Sequence, residues 1–426
     1  MAVLRAVSRL SLFIHLLAAL MICQLAAAQT EAILHSFQGT PDGSVPSGGP
    51  IVDASGNIFD TTEQGGVYGA GTVYELTPPT QEGGDWTETI LYSFTGLADG
   101  SFPIGSLAID TSGNIYGTAT AGGIIDRKCN EIGCGTVFEL SPPTQQGGIW
   151  NFQVLYTFTG GHDGWEPTGL LLSGGTLYGT DISFNRHINQ GTVFALRRKS
   201  DGWRIQVLHE FTGGHDGCEP SIEKLVTDAA GNLYGTTTSC GGYEKGTVFE
   251  LARPVQPGGD WAISILHHFT GIDGSYPNGV VFNQAGNLYG TTFYGGTWNE
   301  GVLYRLSPPA QVGDEWKETV LHTFPSYDGD GSDPQSDLII DRSGNIYGTT
   351  RYGGNAGNDS WGTLFELAPA VQGGPATERV LHTFTGLSGD GAQPWFGLAF
   401  LGNQIVGVTY QGGDIQLGTV FAVSLN

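Results

Sequence analysis

Short runs of alternating apolar and polar residues recur along this chain, separated by glycine-rich punctuation. Thr136-Val137-Phe138-Glu139-Leu140 is typical. Its period of two places Phe138 and Leu140 on one face of a strand and Val137 and Glu139 on the other. Beyond the first 28 residues no stretch follows the 3.6-residue period of an amphipathic helix, so the rest of the chain is predicted to be all-β.

The runs belong to a repeat. Gly56-Asn57-Ile58-Phe59, Gly113-Asn114-Ile115-Tyr116, Gly231-Asn232-Leu233-Tyr234, Gly286-Asn287-Leu288-Tyr289 and Gly344-Asn345-Ile346-Tyr347 are copies of one element. Degenerate copies stand at Gly175-Thr176-Leu177-Tyr178 and Gly402-Asn403-Gln404-Ile405-Val406. A G-T-V-F-x-L element begins at Gly71, Gly135, Gly191, Gly246, Gly301, Gly362 and Gly418. A third element, L-[HY]-x-F followed by D-G-x-x-P, begins at Leu34, Leu91, Leu155, Leu208, Leu266, Leu321 and Leu381. Three markers in constant order give seven repeats of about 55–62 residues.

Each repeat reads as four strands: an apolar run, a D-x-x-G-N hairpin turn in which Gly and Asn tolerate positive φ, the Asn-Ile-Tyr-Gly-Thr strand, the G-T-V-F strand, and a strand running from a tryptophan into L-[HY]-x-F. Four antiparallel strands per repeat match one blade, so the fold class is a seven-bladed β-propeller spanning 29–426. The first strand, residues 32–37, has the character of a fourth strand, whereas 418–423 is a third strand with no fourth after it. Pairing the two closes the ring and leaves no open edge at the seam.

Composition sharpens this picture. Glycine reaches 69 residues while aromatic residues remain at 11%, which fits tight turns between strands rather than a disordered Gly-rich chain. The formal charge of −24 argues against nucleic acid as a partner and against an anionic membrane surface. Residues 1–28 carry Arg5 and Arg9, an apolar stretch from Leu10 to Leu25, and Ala26-Ala27-Ala28 before Gln29, the layout of a cleaved signal peptide. The alternative is an uncleaved anchor, for which the stretch is short and interrupted by His15 and Gln24. A secreted monomer, extracellular or periplasmic, with no membrane span after cleavage, is therefore expected. In such a compartment Cys129, Cys134, Cys218 and Cys240 are expected as two disulfides. Cys218 and Cys240 flank one hairpin almost symmetrically, and Cys129 and Cys134 share one loop insertion, which gives the pairing. A zinc site at Cys129 and Cys134 is the competing reading, without an obvious second pair of ligands.

The combined G-T-V-F-E-L, G-N-L-Y-G-T and L-Y-x-F-T-G-x-x-D-G elements resemble the GloVer tandem repeat of exported bacterial proteins with a choice of C-terminal anchors. The resemblance covers essentially the whole mature chain and implies architecture and export, but no reaction. The sequence departs from that pattern by ending at the repeat itself, which points to release or periplasmic retention.

Strand order places the D-G-x-x-P loops and the Gly-Gly loops on one side of the ring, the expected ligand face by analogy with other propellers. Phe102, Trp165, Tyr276, Trp298 and Trp395, with Trp361, are candidates to stack on sugar rings there; the competing role is packing between blades. His162 and His215, in identical Gly-Gly-His-Asp-Gly contexts and followed by Glu166 and Glu219, are candidates for general acid–base work, or ordinary loop residues. Asp42, Asp99, Asp163, Asp216, Asp273, Asp330 and Asp390 either cap their own turns or form a carboxylate ring. Ca²⁺ on that ring, with Asp163, Asp216 and Asp273 foremost, is the only cofactor in view. His35, His209, His267, His322 and His382 share one place with Tyr92 and Tyr156, which suggests packing. The preferred function is a non-catalytic binding or interaction module for a glycan or protein. The alternatives are a carbohydrate-active hydrolase or lyase with its site on the D-G-x-x-P face, and a structural cell-surface repeat protein.

Overall fold

Steric demands of the repeat explain the sheets. In the computed structural model, a Cβ on Gly117 would stand 2.4 Å from Cζ of Phe138. The glycine of one strand thus lets the phenylalanine of the next lie flat across it. The same contact recurs at Gly179 on Phe194, Gly235 on Phe249, Gly348 on Phe365 and Gly407 on Phe421. Phe37, Phe94, Phe158, Phe269, Phe324 and Phe384, each just after a fourth strand, are fully buried, and each packs on the third-strand aromatic ring of the next blade, as Phe94 does on Phe138.

The structure describes residues 31–425 apart from 82, 146, 183–189, 257, 312–313, 326–328, 355–360, 370–375 and 388. The expected leader, residues 1–28, lies outside the described residues. Seven antiparallel sheets of four or five strands form the blades. Blade one runs Gly43–Pro46 and Ile51–Val52, then Ile58–Gly65, Thr72–Thr77 and Thr87–Ser93. Blades two to six follow in chain order. Blade seven contains Ala399–Leu401, Gln404–Thr409 and Thr419–Ser424, and its fourth strand is Glu31–Ser36. Ala32 pairs with Ala422 and Ser36 with Thr419, so the seam closes as the strand characters predict.

Two local features differ from the sequence reading. The first strand is continuous only in blades three and five, Pro167–Ser173 and Ser275–Phe282; in blades one, four and six it breaks after the proline of D-G-x-x-P, and in blades two and seven only short pieces remain. In the D-x-x-G-N turn only the glycine takes positive φ, +85° at Gly56. The asparagine serves another purpose: Asn57 Nδ2 donates to Asp53 Oδ2 at 3.0 Å, while Asp53 Oδ1 accepts the backbone N–H groups of Ser55 and Asn57. Both expected disulfides are present, Cys129–Cys134 and Cys218–Cys240. Among the described residues no helix is long and apolar enough to cross a membrane.

Candidate functional site

The D-G-x-x-P loop is a joint between blades. Its second variable residue adopts left-handed backbone in all seven copies, with φ of 60° at Val45, 52° at Phe102, 57° at Glu166, 55° at Glu219, 56° at Tyr276, 53° at Asp333 and 55° at Gln393. Few non-glycine residues tolerate this region, least of all valine and the aromatics. What holds them there is a hydrogen bond of 2.7–3.2 Å from each N–H to the carbonyl just before the G-T-V-F glycine of the preceding blade. Phe102 donates to Ala70, Asp333 to Glu300, and Val45 to Leu417 across the seam. The proline of the same loop packs on that glycine: a Cβ on Gly246 would lie 2.5 Å from Cδ of Pro277, and one on Gly418 2.4 Å from Cδ of Pro46. Proline therefore locks neighbouring blades together, besides leading into the first strand.

Two variable residues of this joint, Tyr276 and Asp333, lie among charged and aromatic side chains of blades five to seven. The Arg351 guanidinium lies 4.2 Å from the Trp395 ring and 5.0 Å from that of Tyr352. Trp395 also touches Tyr410 at 5.2 Å between ring centres. Tyr276 and Tyr294 meet edge to face at 5.8 Å, and both are substantially exposed. Burial, reinforced by Glu300 and opposed by Arg351, pushes the Asp333 carboxyl up to about 7. Four buried polar atoms of this group have no hydrogen-bond partner: Asp333 Oδ1, Gln335 Oε1, Arg351 Nε and Trp395 Nε1. Two are donors and two are acceptors, and leaving each unpaired costs about 1–3 kcal/mol.

The other sequence candidates are dispersed. His162 is 89% exposed and faces Glu210 at 3.2 Å, so its partner is not Glu166. His215 packs against His268 at 5.7 Å. Glu166 is buried with Oε2 unpaired, and burial pushes it up to about 7. Glu219 accepts from Ser239 Oγ at 2.9 Å. Trp165 is only 2% exposed, packed beside the Cys129–Cys134 disulfide, which makes it a core residue. Phe102 is half-buried, whereas Trp298 is 51% exposed in the loop after the second strand of blade five. The turn aspartates are each engaged locally. Asp163 accepts from Tyr156 Oη, Thr159 N and Thr159 Oγ1, Asp216 from Thr212, and Asp273 from Thr270. Arg351 and Gln335 were not singled out by the sequence reading. Arg351 occupies a place held in the other blades by Glu63, Thr120, Ile182, Thr238, Phe293 and Tyr410, a variable position in a fixed frame like those in D-G-x-x-P.

Two carboxyl groups approach each other on the inner side of the ring. Glu223 of blade four and Asp337 of blade six meet over Gly279 of blade five, where a Cβ would lie 2.2 Å from Asp337 Oδ1. Burial, with Asp337 beside it, drives the Glu223 carboxyl far up, so this pair holds a proton. The space left beside it is a cavity of about 50 Å³ lined by Gly49, Ser106, Lys224 and Asp337. On the opposite side of the ring the blade three–four cleft, about 890 Å³, carries Arg197, Lys199 and Arg253 beside Trp261.

Seven antiparallel sheets of four or five strands arranged around an axis, each latched to the next by one repeated joint, define a tandem-repeat β-propeller. The profile of the Gloeobacter/Verrucomicrobia repeat matches residues 21–203 and 125–355. The chain belongs to that repeat family. A search of curated proteins finds no match. Among solved structures, the chain is similar to an unknown-function protein from Dyadobacter fermentans DSM 18053, at 12% identity and a TM-score of 0.45, covering 93% of this chain and 98% of that one. It is also similar to a luciferin-regenerating enzyme, at 13% identity and a TM-score of 0.43, covering 75% and 90%. Trypanosoma rangeli sialidase matches at 11% identity and a TM-score of 0.43, covering 82% of this chain and 57% of its own.

Proposed function

We propose that this propeller is an exported binding module for an oligosaccharide, taken up at the mouth over blades five to seven. The observation that carries the reading is the set of four buried unpaired polar atoms on Asp333, Gln335, Arg351 and Trp395. Sugar hydroxyls donate and accept at once, which suits a set with two acceptor atoms, Asp333 Oδ1 and Gln335 Oε1, and two donor atoms, Arg351 Nε and Trp395 Nε1. Tyr276 and Tyr294 add exposed aromatic surface of the kind that packs against a sugar's C–H face. Export is supported by the two disulfides, which form and persist in oxidising compartments, and by the leader-like residues 1–28.

The test is an oligosaccharide array followed by calorimetry on any sugar retained. Arg351→Met and Tyr276→Ala should each weaken binding at least tenfold without shifting the unfolding midpoint by more than a few degrees. Unchanged affinity in both variants would remove this site. A carbohydrate-active enzyme is the second reading, favoured by the Asp333 carboxyl held near 7, a value suited to a general acid. It requires product formation by the wild type and its loss in Asp333→Asn with binding retained.

A further inference from the structure

The histidine of L-H-x-F packs at a blade boundary, and the residue facing it from the next blade follows a rule. His382 Nε2 lies 3.2 Å from Glu31 Oε2 and 3.3 Å from Asp390 Oδ1. His35 Nε2 lies 3.2 Å from Asp42 Oδ2 and 3.6 Å from Glu88 Oε1. His322, Asp330 and Glu378 form a third such group; in each of the three, one donor atom per residue falls within 4.8 Å of the others. The glutamate occurs only behind a histidine. Where the preceding blade carries Tyr92 the position holds Phe152, stacked on that tyrosine at 3.8 Å, and behind Tyr156 it holds Ile205. His267 and Glu318 hold the corresponding places without closing a triad of the same spacing, and among the histidines His209 alone has an aliphatic partner, Ile263. Packing alone would not tie glutamate to histidine.

We propose that these boundary triads bind a divalent transition metal, with Zn²⁺ the best-fitting ion, through one imidazole nitrogen and two carboxylate oxygens. One Nε2–H cannot serve two carboxylates equally, whereas a cation serves both. The observed spacings match the edge of a tetrahedron built on ligand bonds of about 2.0–2.1 Å, which is about 3.3 Å. A mixed nitrogen–oxygen donor set suits Zn²⁺ better than Ca²⁺, which takes six to eight oxygens. A second feature points to a missing partner. Glu31 is only 10% exposed on its side chain and its Oε1 has no hydrogen-bond partner, as is true of Oε1 of Glu378. His382 and Asp390 retain 18% and 14% exposure, which leaves room for a water as fourth ligand and a path for the ion. Each metal would bridge two blades, and the Glu31 triad would bridge the seam.

Zinc binding by the tag-free, leader-free chain, treated first with a chelator, should be measured by calorimetry and elemental analysis. Up to three equivalents are expected, with a rise in the unfolding midpoint. Glu31→Gln, Glu88→Gln and Glu378→Gln should each remove one equivalent, and Co²⁺ should give the visible bands of a tetrahedral site, diminished in each variant. The proposal is overturned if the triple variant binds as much zinc as the wild type, or if the wild type binds none. Should Glu31→Gln fail to fold, the Glu88 and Glu378 variants carry the same test in blades away from the seam. As a gain experiment, Tyr92→His with Phe152→Glu beside Asp99 should add one equivalent.

Discussion

Asp60 stands where the other blades carry Gly117, Gly179, Gly235, Gly290, Gly348 and Gly407. Space for its carboxylate exists because blade one has Gly48 where a larger side chain would reach it; a Cβ there would lie 2.0 Å from Asp60 Oδ1. The carboxylate is fully buried and accepts from Thr61 N at 2.8 Å, with the backbone of Gly48 and Gly49 also donating. Its Oδ2, the Thr61 hydroxyl and the Tyr74 hydroxyl nonetheless remain unpaired. Burial outweighs the three backbone donors and pushes the group up to about 8. The folded chain therefore holds a proton that the unfolded chain releases near the ordinary carboxylate value of 3.8. Its stabilising effect is complete below that value and is lost as pH rises to about 8, by up to about 1.4 kcal/mol per pH unit. Asp60→Asn, which cannot ionise, should flatten this slope between pH 5 and 8 in urea-unfolding measurements. An unaltered slope would mean that another group sets it.

At the scale of the element, the joint between blades rests on glycine as much as on proline. A Cβ on Gly246 would lie 2.4 Å from the Thr237 carbonyl and 2.5 Å from Pro277, at a φ of +90°. Gly246→Ala should therefore cost more than about 2 kcal/mol, combining overpacking with an unfavourable backbone. Gly83→Ala, at φ +79° with nothing within 4 Å, should cost only about 1 kcal/mol. Equal midpoints in thermal unfolding would show that the Gly–Pro contact is not what holds the blades. This joint explains why the repeat could be read from sequence at all: one residue type fits beneath Phe138, and one fits against Pro277. The Cys218–Cys240 pair was legible for a related reason, since a hairpin of known turn position dictates which residues face each other. The mouth was not legible. Asp333, Gln335, Arg351 and Trp395 come from two blades and form a group only after the joints turn them together. The histidine–glutamate rule was present in the sequence, but it appears only when each repeat is compared with its neighbour rather than with the consensus.

For the whole molecule, closure depends on Glu31–Ser36 and on the seam joint of Val45 with Leu417 and Pro46 with Gly418. Deleting residues 31–37 exposes one edge of blade seven and removes Phe37, whose burial alone contributes about 1.5–3 kcal/mol. The truncated chain should unfold at a clearly lower temperature and bind a hydrophobic dye; an unchanged midpoint would contradict closure by this strand. The direction of the seam also sets how the ring yields to force. Glu31 pairs with Val423 and Ser36 with Thr419, so the outer ends of both strands leave the sheet at the same corner. Tension between Glu31 and Ser424 consequently peels the seam one hydrogen bond at a time, as a zipper opens. A load carried instead from a ligand at the mouth to one end of the chain must pass through the joints between blades, and there it meets several bonds and a Gly–Pro contact together. The ring should thus be weak when pulled by its two ends and stiff when pulled by what it holds.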